Sequence, residues 1–100
     1  MNLEEEFSMF LVVQNITVKS ENRQKAIDAL ANRTILKEQK GFIDLSVMNN
    51  QDKEDVIGVI GRWESKADWQ AWENHEDRDK VETFPTENVE TAFYELIGQV

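Results

Sequence analysis

FIDLSVMNNQDKEDVIGVIGRW, residues 42–63, decides the architecture. Its opening alternates Ile43, Leu45 and Val47 against Phe42, Asp44, Ser46 and Met48, a period of two that predicts a strand over 42–50. VIGVIGRW, residues 56–63, resumes as a second strand, and the intervening NNQDKED carries the Asn and Asp that favour a turn. Strands joined by so short a loop pair antiparallel, because a parallel pair needs a much longer crossover. Gly58 and Gly61 interrupt the second strand and mark either a bulge or a place where a side chain packs close to bare backbone.

Outward toward the C-terminus, Ser65 offers an N-cap and Asp68 a negative charge in the first turn, and the helix they start runs through Trp69 and Trp72 to about Lys80. EDRDKVETFPTEN, with the only proline, Pro85, reads as an irregular connection, and TAFYELIGQV, residues 91–100, as a last strand. Outward toward the N-terminus, Ser20 caps a helix from about Glu21 to Lys40. Ala26, Ile27, Leu30 and Thr34 recur there at helical spacing, and Gly41 supplies a left-handed stop. FSMFLVVQNITV, residues 7–18, is a long strand apolar on both sides, with Phe7, Met9, Leu11, Val13, Asn15 and Thr17 on one face.

Strand, helix, strand, strand, helix, strand is the split βαβ order of an α+β, ferredoxin-like fold, a four-stranded antiparallel sheet with both helices on one face. The other face is left uncovered, yet several strands are apolar on both sides. A second copy of the same sheet would bury it, so a homodimer is expected.

The 100 residues, 40% of them hydrophobic, suit a single domain spanning 1–100. With no cysteine, neither a disulfide framework, a thiolate metal site nor a Cys nucleophile is available. A net charge of −9 opposes nucleic-acid backbones and anionic membranes alike. MNLEEEFSMFLVV is acidic where a secretory signal would be basic, and no apolar run approaches membrane-spanning length, so a soluble cytoplasmic protein is expected.

No P-loop, dinucleotide fingerprint, paired-His zinc motif or Ser-His-Asp arrangement stands out, so any chemistry rests on subtler residues. Asn15 is an amide in mid-strand among apolar neighbours, costly to desolvate unless something bonds it; equally, it can sit beyond the packed part of the strand. Trp63, Trp69 and Trp72 fall within ten residues, and Trp69 and Trp72 share a helical face, where aromatics either fill core or line a pocket. His75, about 60° around the helix from Trp72, is either solvated among Glu73, Glu76, Asp77 and Asp79 or a ligand or acid-base group.

QNITV on the first strand, KGFIDLSV after the first helix and VIGRWESKADWQAWE beyond resemble the antibiotic biosynthesis monooxygenase superfamily, most closely its Isd-type heme-degrading branch. The likeness runs from about Phe10 to Glu76 and fades from Asp77 onward. It implies a homodimeric α/β barrel with a pocket between sheet and helices in each subunit. It further implies a monooxygenase that oxidises heme, at once substrate and cofactor, or a heme-like aromatic, using O2 and external electrons from an unspecified donor. The same resemblance gives Asn15 and Trp72 as catalytic residues, matching an Asn that approaches the oxygen-binding side of heme and a Trp that presses on the porphyrin. Trp63, Trp69 and His75 would help to hold the group, His75 as a metal ligand, and Arg33 and Lys37 would neutralise propionates. The family's axial His lies well beyond that Trp, where this chain reads EDRDKVET. Two alternatives therefore stay open: a cofactor-independent quinol or polyphenol monooxygenase, and a non-catalytic dimeric ligand-binding domain.

Overall fold

Four strands and two α-helices form over residues 9–100, the part of the chain that the computed structural model describes. The strands are β1 (Phe10–Thr17), β2 (Phe42–Asn49), β3 (Val56–Trp63) and β4 (Asn88–Glu95), and the helices are α1 (Arg23–Ala31) and α2 (Lys66–Glu73). They follow the expected strand-helix-strand order. The sheet runs β2-β3-β1-β4 with every neighbouring pair antiparallel, which is the ferredoxin-like topology. Phe7, expected in the first strand, lies outside the described residues. None of the described helices is long and apolar enough to cross a membrane.

Three element boundaries and the place of the sheet irregularity differ from the sequence reading, each for a physical reason. The helix expected over 21–40 breaks into a 3-10 turn at Ser20–Asn22, α1, and a second 3-10 turn at Thr34–Glu38. Asn32, a poor helix former, ends α1, and Thr34 and Ile35 follow with β-branched side chains that crowd the preceding turn. The helix expected to reach Lys80 stops at Asn74, where its N–H bonds to the carbonyls of Gln70 and Trp72; a separate 3-10 turn, Glu76–Lys80, follows. β4 starts three residues earlier than expected and ends five earlier, because pairing with β1 sets its length: Thr17 opposes Asn88 and Phe10 opposes Glu95. The sheet irregularity falls in β2 between Phe42 and Asp44, not at the β3 glycines. Those glycines are approached by side chains instead, since a Cβ at Gly58 would meet Met48 Cε at 3.2 Å and one at Gly61 would meet Leu45 Cδ1 at 3.4 Å.

The Ser65 cap holds, and Gly41 takes its left-handed conformation, although α1 ends well before it, at Ala31. Ser65 Oγ accepts the Asp68 N–H at 3.1 Å and donates to Asp68 Oδ2 at 2.9 Å, closing the first turn of α2. Gly41 adopts φ 80°, and a side chain there would also collide with the Asp68 carboxylate, so no other residue fits this approach of the β2 entry to α2.

Both helices cover the same face. Under α1, Ala26 and Leu30 pack with Ile16, Val18, Ile57 and Val59 into an aliphatic cluster. Under α2, Leu36, Trp63 and Trp72 form a second, aromatic cluster joined by Phe10, Phe42 and Trp69. The opposite face, which carries Leu11, Val13, Ile60 and Met48, has no covering element among the described residues.

Candidate functional site

The aromatic cluster does not close on itself. A cavity of about 500 Å³ lies between the sheet and α2, walled by all three tryptophans and reached by Gln14, Arg33 and Arg78. That volume falls in the ordinary range for small-molecule sites, about 300–1,000 Å³. Trp63 and Trp72 are 3% and 5% exposed, so each serves as core on one side and cavity wall on the other. Trp63 meets Phe42 edge-on with ring centroids 5.3 Å apart. Trp69 packs on Phe10 and Phe93 at 5.4 and 5.0 Å, which fastens α2 to β1 and β4. These contacts fix the indoles as walls rather than as mobile side chains.

The polar groups come from backbone irregularities. Arg33 stands in the break between α1 and the 3-10 turn at Thr34–Glu38, with ψ 53°, so its side chain leaves the helix surface and enters the cavity lining. Its Nε is buried and meets no acceptor. Burial, first, and the nearby positive charge of Arg78, second, push the Arg33 guanidinium below its ordinary pKa. Arg78, from the 3-10 turn after α2, lies 5.6 Å from the Trp72 ring centroid and pairs with Glu73 Oε2 at 2.6 Å. Gln14 Nε2 donates to Thr91 Oγ1 at 3.2 Å from within the sheet.

Of the residues singled out in the sequence, the fold brings Trp63, Trp69, Trp72 and Arg33 to one cavity and leaves Asn15, His75 and Lys37 outside it. Asn15 is exposed and pairs with Gly58 and Glu90, on the uncovered sheet face together with Leu11 and Val13. Its neighbour Gln14 occupies the cavity side, in phase with Val12 and the buried Ile16. His75 is exposed, in extended backbone beyond the end of α2. Its Nδ1 accepts the Asp77 N–H at 3.0 Å, capping the following turn. His75 thereby has the lone pair of that nitrogen engaged by the turn. Its ring lies 6.4 Å from that of Trp72, a packing contact rather than a place in the lining. Lys37 lines a second cavity of about 410 Å³ beside β2, which shares Arg33, Phe42 and Leu45 with the first.

Gln14 and Arg78 are the residues that sequence reasoning passed over. Gln14 is one residue out of phase with Asn15, and because β1 is apolar on both faces the strand by itself carried no signal for it. Arg78 carried no local signal, since it sits in a polar, acidic stretch.

This geometry has known counterparts. A sequence model of the antibiotic biosynthesis monooxygenase family matches residues 9–82. The heme-degrading monooxygenase HmoA of Bacillus subtilis is 33% identical over 67 residues, 65% of this chain and 62% of that protein, so the chain spans less than two thirds of that relative's length. Among solved structures, a Bacillus cereus protein described as an antibiotic biosynthesis monooxygenase superposes with a TM-score of 0.77 at 28% identity, covering 92% of this chain and 96% of that one. MhuD of Mycobacterium tuberculosis, a heme degrader solved with two hemes in its active site, superposes with a TM-score of 0.76 at 19% identity over 91% and 98% of the respective chains; at that identity the likeness is one of fold.

Proposed function

The chain belongs to the antibiotic biosynthesis monooxygenase family, and from that premise we propose that it oxidises a planar, conjugated, acidic substrate with O2 in the cavity under α2, heme or a heme-like aromatic being the leading candidate. The observation that carries this reading is the cavity itself: three fixed indoles and a half-buried arginine whose Nε meets no acceptor line one open pocket. HmoA and MhuD, both heme degraders by name, support heme as the substrate.

The cavity suits one part of a heme and not another. Indole faces suit a porphyrin plane, and Arg33 suits a propionate. Coordination is different, because no His, Met or Tyr lines the cavity among the described residues and the chain has no Cys. If heme is bound, its own iron supplies the oxygen chemistry. The chain would then hold the ring against its tryptophan wall, shield it from water, and offer the Gln14 amide and Arg33 as hydrogen-bond donors.

Hemin titration of the purified protein tests this reading, with a Soret shift at micromolar hemin expected. The shift should persist in His75→Ala, whose imidazole caps a turn outside the cavity. No shift in either protein sinks the heme version.

The lack of a ligating side chain in the lining favours a second reading, in which a quinol or polyphenol itself supplies the electrons. Oxygen uptake with dihydroxy-aromatics in metal-free buffer would then proceed without a reductant, and its absence would eliminate that version.

The assembly belongs to the same proposal. The uncovered face presents Leu11, Val13, Ile60 and Met48, beside the exposed Tyr94, and a second copy of that face would bury them. Light scattering should give a homodimer, and Val13→Asp a monomer.

A further inference from the structure

Trp72 lines the cavity, yet only 5% of it is exposed, so in this arrangement little of its ring is open to a ligand. Leu36 and Trp63 pack with it in the aromatic cluster, and the Arg78 guanidinium stands over the ring, with Cζ 5.6 Å from the centroid. Glu73, the next residue along α2, holds that guanidinium through Oε2 at 2.6 Å. Trp72, Glu73 and Arg78 all line the cavity.

A guanidinium is flat and stacks on aromatic faces, so Arg78 meets the same kind of surface that a flat conjugated ligand would use. The two compete for Trp72. Arg78 is ill suited to be a ligand's own charged partner, because a carboxylate already engages its fork and Asp79 beside it would repel an acid. It is well suited to leave. The Arg78 and Glu73 side chains are 40% and 33% exposed, so the cation can turn outward and stay hydrated, and an exposed ion pair holds it only weakly. Arg33 brings a like charge near it and weakens that hold further. A displaced guanidinium gives up one cation–π contact, whereas a conjugated ring laid on the indole removes a larger apolar area from water.

We infer that Arg78 gates the Trp72 face of the cavity, latched over the indole by Glu73 and displaced by a flat conjugated ligand that stacks in its place. The inference rests on the cavity reading proposed above and specifies how an occupant gains the tryptophan wall. It makes the latch a cost to binding, so that removing either Arg78 or Glu73 tightens binding, the opposite of what deleting a contact residue does.

Quenching of tryptophan fluorescence in the full chain provides the test. Acrylamide, a small neutral quencher, reports access to Trp72 in the protein alone, with Trp72→Phe identifying that indole's share of the emission. Glu73→Gln and Arg78→Ala should each raise the quenching of that share by roughly twofold or more. Salt at about 0.5 M should raise it in the wild type, by screening the latch, and leave Glu73→Gln unchanged; this arm needs no variant to fold. Menadione is flat, conjugated and uncharged, so the loss of Arg78 costs it no ion pair. It should bind about three- to tenfold more tightly to Glu73→Gln and Arg78→Ala than to the wild type, with Arg78→Lys, which keeps the charge and not the flat stack, in between. Weaker menadione binding by the two variants, binding to none of the proteins, or unchanged acrylamide quenching overturns the inference. Hemin run alongside separates the gate from the reading above. The expected menadione series without a Soret shift from hemin keeps the gate and removes heme, whereas hemin binding with no change at Trp72 keeps heme and removes the gate.

Discussion

The two halves of the helix-covered face are built on different plans. Under α1 the side chains are aliphatic and close-packed: Leu30 and Ile57 are each 1% exposed, Val18 likewise, and Ala26 lets the helix approach the sheet. Under α2 the side chains are large and aromatic, and they enclose a cavity of about 500 Å³ with an unpartnered arginine donor inside. Close packing maximises dispersion contacts and expels every void, whereas a void lined by indoles leaves part of each ring without partners. The aliphatic half is therefore the one that holds the fold together, and the aromatic half gives up part of its packing to keep a site open.

Substitutions should separate the two halves, and the largest effect belongs to the aliphatic one. Leu30→Ala removes a fully buried side chain from a site with little room to collapse, and should cost about 2–5 kcal/mol in urea unfolding while leaving ligand affinity intact in the folded fraction. Trp72→Leu should reverse that profile. Because one side of the indole already faces the cavity, the stability loss should be only about 1–2 kcal/mol, and the quenching titration should weaken by about tenfold or more. A greater stability loss for Trp72→Leu than for Leu30→Ala would break the distinction between the halves.

Smaller changes refine it. Ser65→Ala leaves the Asp68 N–H without its acceptor and loosens the start of α2, at about 1 kcal/mol by thermal or urea unfolding. The smallest effect lies at the rim, in the turn that presents Arg78. There a hydrogen bond from Lys80 holds the Asp77 carboxyl below its usual pKa against the opposing effect of desolvation, helped by the charge of Lys80 and by a hydrogen bond from Gln39. A carboxylate depressed in the folded state stabilises fully above its unfolded pKa of about 3.9, and that contribution fades as pH falls below it. Asp77→Asn should thus lower the melting temperature slightly at pH 7 and approach the wild type as the pH falls below about 3.9, as followed by circular dichroism. A difference that persists undiminished at low pH would assign the turn to other contacts.

How much was legible follows from how local each signal is. The 42–63 hairpin, the Ser65 cap, the glycine at position 41 and the clustering of Trp63, Trp69 and Trp72 are set within a few residues, and the structure keeps all of them. The long helix expected over 21–40 failed at Asn32 to Ile35, where the apolar period continued but the residues resist a helical turn. That break mattered for the site, since it is what turns Arg33 inward.

Residue order and period alone determined the element sequence, the antiparallel sheet and the tryptophan wall, because each depends on spacing along one chain segment. Only the tertiary structure decided which face of β1 meets the helices. Leu11 and Val13 on one side and Val12 and Ile16 on the other are equally apolar, so nothing in the strand itself favours Asn15 over Gln14 as the residue in the cavity. Only the tertiary structure, too, brought Arg33 near Arg78: two cations on separate turns, distant in sequence, the first with a buried Nε that meets no acceptor.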